Sequence, residues 1–114
     1  MSKDELAVEL VMAKMFAKND YMSIYAMFLI ESEKNERLRE LRDVIESNMK
    51  NGFLEFAEKS GLEILSCFAN DDFMKFMYAI FIAEELIDIR NLFLNESDLF
   101  RDIIFNYLQK HKPE

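Results

Sequence analysis

Tyr25-Ala26-Met27-Phe28-Leu29-Ile30-Glu31 reads closely against Tyr78-Ala79-Ile80-Phe81-Ile82-Ala83-Glu84. A shorter echo precedes each copy, Phe16-Ala17-Lys18-Asn19-Asp20 against Phe68-Ala69-Asn70-Asp71. Another follows, Arg42-Asp43-Val44-Ile45 against Arg101-Asp102-Ile103-Ile104. Both main stretches are too long and too apolar for loops. Each is preceded by an Asn-Asp pair, whose side chains suit the start of a helix. The stretches therefore predict two central helices. The pattern leaves two readings open: one helical unit used twice about a pseudo-twofold axis, or chance likeness in a biased composition. The offset between copies moves from 51–52 to 53 to 59, so duplication requires insertions.

Working outward, Ser2 followed by Glu5 is a capping box that opens a first helix, expected to run to Ala17 and to be largely buried. Beyond Glu31 the chain turns strongly charged. Leu38, Leu41, Ile45 and Met49 recur at three- and four-residue spacing, a single apolar seam on a solvated helix. That seam suits a partner protein or a second copy of the chain. Whether this helix continues the one before it, or breaks near Ser32–Asn35, is open. Asn51-Gly52 reads as a helix end. A short helix from Phe53 to Lys59 then bends at Ser60-Gly61 and continues from Leu62 to Ala69. Asn70-Asp71 caps a long helix reaching Leu94. Asn95 caps the last, which ends near Pro113.

Composition points the same way. Two glycines and one proline in 114 residues leave little material for the tight turns of sheets. Hydrophobic residues make up 51%, enough for one core and too many for disorder. The expected fold is all-α, a compact bundle of five to six helices in a single domain over 1–114. Candidate repeat units are 3–51 and 53–111, with a frayed tail at 111–114. Eight methionines and eleven phenylalanines, without tryptophan, make a soft core whose exposed parts can adapt to a partner.

A net charge of −8 weighs against direct nucleic-acid binding and against anionic membrane surfaces. The lone Cys67 has no partner in the chain and points to a reducing cytoplasm. No apolar run is long enough to span a bilayer. Catalytic vocabulary is thin. His111 is the sole histidine and sits in a charged tail, zinc ligand sets are missing, and both glycines stand alone. The basic run Lys34, Arg37, Arg39, Arg42 is interleaved with acids and reads as a salt-laced solvent face.

Carboxylates are the exception. Glu55-Phe56-Ala57-Glu58 and Glu85-Leu86-Ile87-Asp88 each place two acids one turn apart. This resembles the Glu-x-x-Glu and Glu-x-x-Asp signature of MazG-like all-α nucleotide pyrophosphatases, and Ala83 to Asp88 is similar to that family's second motif. The resemblance implies that Glu55, Glu58, Glu85 and Asp88 hold Mg²⁺ for hydrolysis of a nucleoside triphosphate to a monophosphate and pyrophosphate. It covers a few residues, and here the second motif follows a run of helix instead of opening one. The favoured expectation is a non-catalytic binding module without a cofactor: an inhibitor, an immunity or antitoxin-like protein, an adaptor or a small subunit. Its partner would be a protein, with a basic one favoured because an acidic surface steers cations. A structural homodimer is the further alternative.

Overall fold

The computed structural model describes residues 1–16, 22–86, 91 and 95–112. Five α-helices and one 3-10 helix make up the described chain, and no strand occurs among the described residues. None of the described helices is long and apolar enough to cross a membrane. The all-α bundle expected from composition is the fold observed.

Helix α1 spans Lys3–Met15. The Ser2 hydroxyl accepts from the Glu5 backbone N–H at 3.1 Å, satisfying one orphan donor of the first turn. Ala7, Val8, Val11, Met12 and Met15 form its buried stripe. Leu6 and Leu10 on the opposite side are exposed, so α1 is buried along one side and not largely buried. Its described end is Met15 with Phe16 as the cap; Ala17 and the Asn19-Asp20 stop fall outside the described residues.

Helix α2 spans Met22–Ser32. Ala26, Leu29 and Ser32 are buried, but Ile24 and Met27 are 68% and 53% exposed. An apolar surface all round the helix therefore did not make it a fully central one. A break follows. Asn35 is extended and its side chain accepts from the Leu38 N–H at 3.1 Å, starting α3 afresh. The Ser32 hydroxyl donates to the Leu29 carbonyl at 2.6 Å and accepts from Arg42 at 3.1 Å. Arg42 also pairs with Glu33 at 2.7 Å, and Arg39 donates to the Glu33 carbonyl at 2.7 Å. Two members of the basic run thus lock the α2–α3 corner.

Helix α3 runs unbroken over Glu36–Lys59, through Asn51-Gly52. The helix end expected there is corrected. Phe53 and Ala57 keep the inward face going one and two turns past Met49, and burial outweighs the ~1 kcal/mol that a helical glycine costs. The true end lies at Gly61, with φ of +72°. The Gly61 N–H reaches the Glu58 carbonyl at 3.2 Å and the Leu62 N–H reaches the Ala57 carbonyl at 3.0 Å. This is a Schellman closure, sealed by contact-forming positions Leu62 and Ala57, both buried. The chain then continues as a 3-10 helix, Glu63–Phe68, which inserts Leu65 and Phe68 into the core.

Asn70 starts α4, Asp71–Leu86, by accepting from the Phe73 N–H at 2.9 Å. The extension of this helix toward Leu94 lies beyond its described end, and residues 87–90 and 92–94 are not described. Helix α5 spans Ser97–His111. Glu96, not Asn95, occupies its N-cap position, and no side chain caps it. Phe100, Ile104 and Leu108 form its buried stripe.

Helices α1 and α5 pack antiparallel, as Glu9–Arg101 and Asp4–Lys112 show. Helices α2 and α4 also run antiparallel, joined by Ser23 donating to Glu85 at 2.7 Å and by a Tyr25–Tyr78 ring contact. Helix α3 rests on α2 and on the 3-10 helix. Echo-matched positions are not equally buried: Ala26 is buried and Ala79 exposed, while Met27 is exposed and Ile80 buried.

Candidate binding groove

Because α1 leans on α5 while α3 leans on α2 and the 3-10 helix, α1 and α3 do not pack closely on each other among the described residues. The space between them is an apolar groove of about 480 Å³. Leu10 and Lys14 of α1 form one wall, and Met49, Lys50, Phe53 and Phe56 of α3 form the other. Leu65 and Phe68 of the 3-10 helix and Phe73, Met74, Met77 and Phe81 of α4 make the floor. Gly52, which lacks a side chain, helps keep the α3 wall low. The adaptable methionine and phenylalanine surface expected from composition is concentrated here.

Lys50 and Tyr78 also line a polar cleft of about 560 Å³ beside the groove, together with Glu33, Arg42, Asp43, Glu46, Ser47, Asp71 and Lys75. Lys50 donates to Asp71, which holds the lysine above its ordinary pKa and the aspartate below its own. The Tyr25 hydroxyl donates to the Met49 sulfur at 3.6 Å. Burial raises the phenols of both Tyr25 and Tyr78.

The seam residues divide between two surroundings. Leu38, Ile45 and Met49 are half-buried, and Met49 turns into the groove. Leu41 is 48% exposed. Its neighbour on the outer face, Val44, is 57% exposed and was not singled out in the sequence, although it lies three residues on from Leu41. Ile24 and Met27 of α2 are exposed as well, so both helices of the α2–α3 hairpin present large apolar side chains to solvent.

Three of the four candidate ligand carboxylates fall among the described residues. Glu55 and Glu58 are exposed on α3, Glu85 is half-buried on α4 and accepts from Ser23, and Asp88 lies outside the described residues. Among the described residues no three Asp, Glu, His or Cys side chains group closely enough to hold a metal ion. Glu84, beside Glu85, is buried.

Around Cys67 the surroundings are those of a retained thiol. Its Sγ donates to the His111 main-chain carbonyl at 3.4 Å, and burial pushes its pKa up, away from the thiolate a nucleophile needs. His111 is less of a loose tail residue than expected. Its ring is exposed but stacks on Tyr107 with centroids 4.2 Å apart, in the last turn of α5. Lys112 is also tied down, to Asp4 at 2.8 Å.

Compared with known protein families, with curated proteins and with solved structures, this chain matches none.

Proposed function

We propose that this chain is a non-catalytic helical module that binds another protein, as an inhibitor, an immunity or antitoxin-like protein, an adaptor or a small subunit of a larger assembly, in the cytoplasm. The observation that carries the reading is the exposure of large apolar side chains on both helices of the α2–α3 hairpin: Ile24 and Met27 on one, Leu41 and Val44 on the other. Large apolar side chains left exposed on two helices that pack together favour a partner that covers them. A net charge of −8 supports a basic partner, captured faster by electrostatic steering.

The test is co-purification of the tagged chain from its source cell at low and moderate salt, beside the double variant Leu41→Asp, Val44→Asp. The proposal expects one protein that is retained by the native chain, lost from the variant and weakened by salt. A native chain that stays alone under both conditions overturns it. Leu41 and Val44, one turn apart on an open helix face, also suit an isologous contact between two copies. Light scattering separates that case, since a monomer at all concentrations excludes the homodimer.

A further inference from the structure

The groove between α1 and α3 does not include the exposed apolar side chains of the hairpin, and its chemistry selects a different kind of ligand. Its volume, about 480 Å³, lies within the roughly 300–1,000 Å³ range of small-molecule sites. Nearly every lining residue is apolar, and the hydrogen-bonding side chains on its wall reduce to Lys14, Lys50 and Tyr78. A sugar, a nucleotide or an extended peptide placed there would bury polar groups without partners. A hydrocarbon chain would not.

The charges are as selective as the apolar wall. On a chain of net charge −8, both ionic groups lining the groove are lysines, one on each side. Lys50 is engaged by Asp71. Lys14 is exposed, and its side chain forms no hydrogen bond or ion pair among the described residues. An anion beside it gains a charge-assisted hydrogen bond at little desolvation cost. Three methionines, Met49 on the α3 wall and Met74 and Met77 on the floor, supply side chains that reshape around a flexible chain.

We infer that this groove binds a free, unbranched aliphatic carboxylate, with its hydrocarbon chain between the α3 aromatics and the α4 floor and its carboxylate on Lys14. The site is one of binding only, and no bond is made or broken.

The native sequence has no tryptophan, so Phe56→Trp at the groove lip supplies a single fluorescent reporter. Dodecanoate, added below its micelle-forming concentration, is expected to shift the emission saturably. Dodecanol is expected to bind at least about tenfold more weakly, the loss that goes with removing one charge-assisted hydrogen bond. Dodecylammonium is expected to give no saturable shift. Lys14→Glu in the same background should weaken dodecanoate by a similar factor and leave dodecanol unchanged. The dodecanol arm and a circular dichroism melt show that this variant is folded. No saturable shift with dodecanoate overturns the inference. So does equal affinity for the acid and the alcohol, or a Lys14→Glu chain that binds dodecanoate as well as its parent.

Discussion

Tyr25 of α2 and Tyr78 of α4 meet edge to face, with ring centroids 6.2 Å apart and planes at 68°. These are the first residues of the two echoed stretches. Burial lifts both phenols above their ordinary value of 10.0.

A raised phenol stabilises the fold in full below its unfolded value and loses that contribution as pH rises past it, because the unfolded chain releases the proton first. Urea unfolding followed from pH 8 to 11 should therefore show stability declining above about pH 10. Tyr78→Phe should flatten that decline. An equal alkaline loss in both chains would remove the Tyr25–Tyr78 contact as its origin.

The two glycines should respond to alanine in opposite directions. Gly52 lies inside α3 with open space around the position of a Cβ, and Gly52→Ala should stabilise by ~0.5–1 kcal/mol. Gly61 holds a left-handed conformation at φ +72°, so Gly61→Ala should cost ~1–2 kcal/mol. Equilibrium denaturation of the two variants reads the signs directly. Two changes of the same sign would contradict the unbroken course of α3.

Asn70 does more than cap a helix. Its carbonyl oxygen accepts from the Phe73 N–H, and its amide donates to the Cys67 carbonyl at 2.7 Å and to the Tyr107 hydroxyl. Asn35 caps α3 through its Leu38 bond at an exposed position. Asn35→Ala should therefore cost about 1 kcal/mol, as lost caps do. Asn70→Ala should cost more, with Asn70→Asp in between because it keeps only the cap. Denaturation midpoints of the three variants give the order.

Ile104 is fully buried on the face of α5 that packs against α1. Truncation to alanine leaves a cavity, and Ile104→Ala should lower stability by ~2–5 kcal/mol. The exposed neighbour Ile103 provides the contrast, since Ile103→Ala should stay within about 0.5 kcal/mol.

What could be read in advance was whatever acts locally. Ser2 and Asn70 announced helix starts because a side chain reaching its own backbone needs no tertiary context. The apolar spacing of the last helix, Leu99, Phe100, Ile103, Ile104, Tyr107 and Leu108, marked a face wider than the one that is buried, since Phe100, Ile104 and Leu108 turn inward while Leu99 and Ile103 stay exposed. Asn51-Gly52 misled because its turn preference is worth little beside the burial of Phe53 and Ala57 further along the same face. Gly61 was recognised only as a bend, since the left-handed closure depends on Leu62 being able to reach the core. The groove had no signature along the chain. It arises because α1 and α3 each lean on other helices, and no stretch of sequence records a contact that two helices do not make. Its composition was visible as methionine and phenylalanine content, but its place was not.

The pairs that hold α1 to α5 have one more effect. Glu9–Arg101 and Asp4–Lys112 join residues 92 and 108 positions apart. A loop of that length closes at an entropic cost that nearby contacts such as the α2–α3 corner never meet. The α1–α5 seam is accordingly expected to act as a clasp that fastens after the rest of the bundle has assembled and lets go before it. In stopped-flow experiments Ile104→Ala would then show its damage as faster unfolding, with the folding rate nearly unchanged. A folding rate slowed in proportion to the lost stability would instead place the clasp at the start.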